Sequence, residues 1–119
     1  MPVYKTFEDL PVWQDARVLV NKIYQLTHNK MNKEYALANQ LERAALSIMA
    51  NIAEGFERGS DKDFNRFLII AKASCGELRS HLYIAFDLGY INENDLHNLQ
   101  EHCLKLSKQI AGFSKYLQT

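Results

Sequence analysis

Residues 47–74 read SIMANIAEGFERGSDKDFNRFLIIAKAS, and this stretch decides the fold. Apolar residues recur at helical spacing as far as Phe56. Gly59 then supplies the left-handed residue that closes a helix. Ser60, with Asp63 three residues on, caps the next one, and Asp61 and Asp63 complement its positive end. One helix ends and another starts within a few residues, so the two form an antiparallel hairpin.

Followed backwards, the first arm of the hairpin starts near Lys33 or Glu34 and ends at about Glu57. Its core stripe is Leu37, Leu41, Ala44, Ala45, Ile48, Ile52 and Phe56. A further apolar set, Leu46, Met49, Ala50 and Ala53, points away from that stripe at about 100° per residue. Between the two lies a polar wedge of Gln40, Arg43, Ser47, Asn51, Glu54 and Arg58. The second arm runs over 61–88 with a core of Phe64, Phe67, Leu68, Ala71, Cys75, Leu78, Leu82, Ala85 and Phe86. Roughly opposite lie Arg66, Ile70, Ala73, Glu77 and Ile84, a second face that is partly apolar and holds one charge of each sign.

Outside the hairpin, Val12, Ala16, Leu19, Ile23 and Leu26 mark a helix over 11–27, widened by Trp13, Val20 and Tyr24. Thr6 and Asp9 are expected to cap its leading turn, and Pro11 suits an early helical position. A polar connection over 28–33 follows. Gly89, Tyr90 and Ile91 end the third helix, and Asn92 with Asp95 caps a fourth. There Leu96, Leu99, Cys103, Leu106, Ile110, Phe113 and Leu117 form a narrow 3-4 seam with a mostly polar remainder. Four helices with short loops predict an all-α, antiparallel up-down-up-down four-helix bundle, a single domain over residues 1–119.

The chain's charges exclude several function classes. Lys and Arg number 14, as do Asp and Glu, so the net charge is zero. A dedicated nucleic-acid binder usually carries a marked basic excess. The two cysteines make no disulfide framework and no CxxC pair, which fits a reduced, cytoplasmic setting. The N-terminal stretch is charged and lacks the apolar run of a signal peptide. No apolar segment approaches the about 20 residues needed to span a bilayer.

No constellation for catalysis emerges. A di-iron bundle needs Glu-x-x-His pairs, and no Glu here has His three residues later. His28, His81, His97 and His102 fall off every core stripe and read as solvated surface residues. Cys75 and Cys103 lie on apolar stripes, where a small buried thiol is the ordinary reading. Gly55 and Gly59 follow a helix rather than a strand, so no phosphate loop is present. The chain is read as a non-enzyme without metal or cofactor.

Arg43, Arg58, Lys62, Arg66, Lys72 and Arg79 lie along the hairpin. Acidic residues are interleaved with them, as in the Glu54–Arg58 pair at i, i+4. The surplus apolar residues of both arms favour a contact between subunits instead. The expected interface comprises Leu46, Met49, Ala53, Arg66, Ile70, Ala73, Glu77 and Ile84. Asn51, Glu54 and Arg58 form a structural polar motif beside it.

The segment FEDLPVWQDA, the run ERAALSIMANIAEGFERGSDKDFNRFLIIAKAS and the following GEL resemble a bacterial four-helix-bundle family. Its members include open reading frames within intervening sequences of 23S ribosomal RNA genes. The resemblance spans nearly the whole chain. A more distant likeness links it to accessory proteins of diversity-generating retroelements. It implies a homopentamer around a central channel, with no established catalysis, and its polar motif falls on Asn51, Glu54, Gly55, Arg58, Ser60, Phe64, Arg66 and Phe67.

Three positions depart from the family's pattern. Glu42 precedes Arg43 where an Arg-Arg pair is common, Ala73 precedes Ser74 where Gly is common, and Met31-Asn32 replaces a Phe-Pro-like loop. The expected function is a homo-oligomeric scaffold or interaction protein whose partner is itself. The alternative is an RNA- or DNA-binding accessory protein linked to ribosomal RNA intervening sequences, using Arg43, Arg58 and Arg66.

Overall fold

The computed structural model describes residues 4–118; residues 1–3 and 119, the ends of the expected domain, lie outside them. A short 3-10 turn, Phe7–Asp9, precedes α1 (Pro11–Lys30), α2 (Tyr35–Glu57), α3 (Asp61–Asp87) and α4 (Glu93–Leu117). Each helix packs beside the next and α4 closes back on α1. This is the antiparallel up-down-up-down bundle, a rod of 44 × 19 × 19 Å. The seam between α2 and α3 is the most extensive and that between α1 and α4 the least.

Local chemistry sets these boundaries. Ser60 accepts a hydrogen bond from the Asp63 backbone N–H at 3.2 Å, and Asn92 accepts one from Asp95 at 2.7 Å. Each satisfies a donor that a helix start leaves without an intrahelical partner. Gly59 and Gly89 take φ values of 85° and 84°, the left-handed geometry that stops a helix. The start of α1 differs from expectation. Thr6 precedes the 3-10 turn, makes no cap to the backbone and donates instead to Asp9 Oδ2 at 3.2 Å. Helix α1 also continues past Thr27 to Lys30, with Met31 buried beneath its end.

The core is one continuous cluster drawn from all four helices. Ile23, Leu41, Ile48, Ile52, Leu68, Leu78, Leu82, Leu106 and Ile110 are fully buried, as the seams require. Leu37, Phe56, Phe67, Phe86, Leu96, Phe113 and Leu117 are half-buried at the margins. A cluster of Phe56, Phe64 and Phe113 plugs one end, with ring centroids 5.9 and 5.4 Å apart. Burying one such ring stabilises the fold by about 1.5–3 kcal/mol.

Candidate interaction surface on the central hairpin

Gly55 brings α2 and α3 together. A Cβ on Gly55 would lie 2.7 Å from Phe67 Cβ and 2.9 Å from Phe64 Cδ1. Only glycine admits so close a crossing. Two turns away the seam is polar. Asn51 Nδ2 donates to the Ser47 carbonyl at 2.8 Å and to Ser47 Oγ at 3.0 Å. Ser47 Oγ lies 2.8 Å from Ser74 Oγ, which donates to the Ile70 carbonyl at 3.2 Å. Since the Ser74 proton is used there, Ser47 donates to Ser74, and the chain runs Asn51, Ser47, Ser74, Ile70. Such a relay is internally satisfied and fixes the register of the two helices.

The rest of the expected polar motif gathers at the turn. Glu54 and Arg58 are 4.0 Å apart, and Arg66 reaches Asp63 at 3.3 Å. The guanidinium groups of Arg58 and Arg66 both lie over the Phe67 ring, at 4.9 and 5.5 Å from its centroid. Arg43 stands apart, exposed and about 22 Å from Arg58 along α2. Two of the three arginines singled out for nucleic acid therefore share a site, and the third does not.

The expected interface residues divide between two flanks. On α3, Ile70 is 44% and Ile84 is 47% exposed, with Arg66, Ala73 and Glu77 exposed among them. Leu88 extends this face beyond the helix end. On α2, exposed Leu46 and half-buried Met49 and Ala53 lie, at helical spacing, on the side that carries Glu42. Glu42 accepts from Thr27 Oγ1 of α1 at 2.6 Å, so that side turns toward α1. Ser47 and Asn51 mark the side toward α3.

The histidines need a correction. His28 and His97 are exposed, but His81 is half-buried and the His102 side chain is 9% exposed. Its Nε2 lies 3.1 Å from Asp15 Oδ1 and its Nδ1 3.2 Å from Lys22 Nζ. An ammonium can only donate, so Nδ1 accepts and Nε2–H donates to Asp15. Sequence reading missed this bridge because His102 sits one residue off the apolar seam. The seven-residue spacing of Asp15 and Lys22, two residues on one edge of α1, is the signal that points to it.

Both cysteines are free and fully buried. Arg79 and Gln100 bond reciprocally across α3 and α4, at 3.1 and 2.8 Å. That register sets Cys75 opposite Cys103. Burial pushes both thiols up to about 12, which leaves them protonated and unreactive at neutral pH. Among the described residues no group of three or more His, Cys, Asp or Glu is placed to hold a metal. None of the described helices is long and apolar enough to cross a membrane.

A family model described as 23S rRNA-intervening sequence protein matches residues 8–112. The chain is also similar to a crystal structure from Bacteroides thetaiotaomicron, a protein with unknown function from the S23 ribosomal protein family. The two share 23% sequence identity and a TM-score of 0.81, over 87% of this chain and 98% of that one. At this identity the likeness establishes the fold. No curated protein matches the chain.

Proposed function

The chain belongs to the 23S rRNA-intervening sequence protein family, and from that premise we propose that it is a non-enzymatic, cytoplasmic scaffold or interaction protein that assembles with copies of itself. The observation that carries this reading is the outward face of α3. Ile70 and Ile84 stand half exposed beside Ala73, where a lone bundle would turn polar residues to water. Arg66 and Glu77 on the same face offer one charge of each sign to fix the register of a contact. The proposed ring of five takes its number from the family resemblance; a ring joins two different patches of each subunit, so this face is one half of the contact and the Leu46, Met49 and Ala53 flank of α2 is the other. Protonated thiols in the core, and a histidine engaged at both nitrogens, support the reading as a non-enzyme.

Light scattering at micromolar concentration tests this directly. The expected particle is a multiple of the 13.8 kDa chain. Ile70→Glu should disperse it while helical circular dichroism stays intact, because Ile70 lies outside the buried core cluster. A monomeric wild-type protein would overturn the proposal.

One observation favours a second reading, an accessory protein that binds RNA or DNA. Arg58 and Arg66 are pre-ordered on the Phe67 ring, and assembly would repeat that pair around a ring. Glu54 and Asp63 offset both charges, which keeps this reading second. It predicts salt-dependent retardation of ribosomal RNA fragments that weakens when Arg58 or Arg66 is replaced. Absence of retardation at low salt contradicts it.

A further inference from the structure

On the side of the bundle opposite the α2–α3 seam, α1 and α4 part to leave a groove of about 650 Å³. It continues into a second hollow of about 300 Å³, since Lys22 and Asn98 line both. From Asp95 to Lys108 the two extend about 20 Å along α4. The Asp15–His102–Lys22 bridge spans α1 and α4 in the first hollow and ties the two helices across the least extensive of the helix seams.

The groove's two sides share a character. Val18 on α1 is 50% exposed and Leu104 on α4 is 39% exposed, so each side presents an apolar residue. Lys105 and Lys108 line the groove and make no ion pair among the described residues. Lys30, farther along, is already held by Asp95 at 2.6 Å. Two free ammonium groups beside apolar flanks make an amphipathic, basic slot between two helices. That shape suits a third helix lying along it, apolar side down and carboxylates toward the lysines.

We propose that the α1–α4 groove is a docking site for an acidic amphipathic helix of a partner protein. Nucleic acid fits less well. The groove is lined by no arginine, phenylalanine, tyrosine or tryptophan that could stack on a base. Its carboxylates are already engaged, Asp15 with His102, Asp95 with Lys30 and Glu101 with His97, which leaves Lys105 and Lys108 as the charges open to a partner. The site lies on the face opposite the proposed self-contact and does not depend on it. An assembly joined through α2 and α3 would carry the groove outward on every subunit.

The test uses the full chain and a fluorescent helical peptide of about 14 residues, which spans about 20 Å. The peptide carries leucines at i, i+3, i+4 and i+7 and glutamates elsewhere. Its counterpart carries lysines in place of the glutamates. Saturable micromolar binding is expected for the acidic peptide and about tenfold weaker binding for the basic one. The double variant Lys105→Glu/Lys108→Glu should lose the acidic peptide yet keep its helical signal and its assembly mass. Hydrogen exchange should slow in α1 and α4 on binding, and Ile70→Glu should bind as well as wild type. Equal binding of both peptides, no saturable binding, or indifference to the lysine substitutions would overturn the proposal. So would a ribosomal RNA fragment that displaced the peptide with the same lysine dependence.

Discussion

Glu42 is fixed by one neighbouring hydroxyl. Thr27 Oγ1 donates to it at 2.6 Å, and the carboxylate turns against α1 instead of outward with Arg43. A charged hydrogen bond of this kind contributes about 1.5–3 kcal/mol and needs both partners. The buried thiols give a sharper residue-scale expectation. Cys75 and Cys103 have an ordinary value of 9.0 and are pushed up to about 12 by burial. The fold therefore favours the protonated form. Their contribution to stability is complete below 9.0 and is lost as pH climbs toward about 12. An aromatic disulfide reagent at about pH 8 should label neither thiol in the native protein and both after unfolding. Prompt labelling of the native chain would contradict their placement. At this scale the thiols' burial is legible, because both sit on apolar stripes. The Asp15–His102–Lys22 bridge is not, because its three residues meet only when α1 and α4 lie side by side.

The helices themselves are the most legible part of the chain. Stripes at 3-4 spacing, two side-chain caps and two left-handed glycines place α2, α3 and α4 within a residue or two. The misplaced cap at Thr6 shows where local pattern fails: a 3-10 turn intervenes, and Leu10, with no capping side chain, precedes α1. Gly55 is a different case. Sequence alone reads it as part of a helix ending, whereas the structure buries it where α2 crosses α3. In an exposed helix Gly→Ala stabilises by about 1 kcal/mol. Here the new methyl would meet Phe67 Cβ, which is fixed to the α3 backbone and cannot swing aside. Gly55→Ala should therefore destabilise by about 1–3 kcal/mol in urea unfolding. A neutral or stabilising result would show that the crossing is looser than the geometry states.

For the whole molecule, the deciding feature is the difference between opposite faces of one bundle. The α2–α3 side carries a tight glycine crossing, a satisfied polar relay and the exposed Ile70 and Ile84. The α1–α4 side has the least extensive helix seam and is grooved. Helical periodicity reveals the second apolar face of α3 and the Leu46, Met49 and Ala53 set of α2, but not that they lie on different flanks. The bundle turns that trio toward the α1 flank. Which residues belong to one surface depends on the packing order of four helices, and periodicity along a single helix carries no information about it. Self-association through α3 is the central claim, and the mass of the particle in solution tests it most directly. Light scattering should give a multiple of 13.8 kDa for the wild-type chain and a folded 13.8 kDa monomer for Ile70→Glu. A wild-type monomer at micromolar concentration, or an Ile70→Glu protein that assembles as before, would contradict the account.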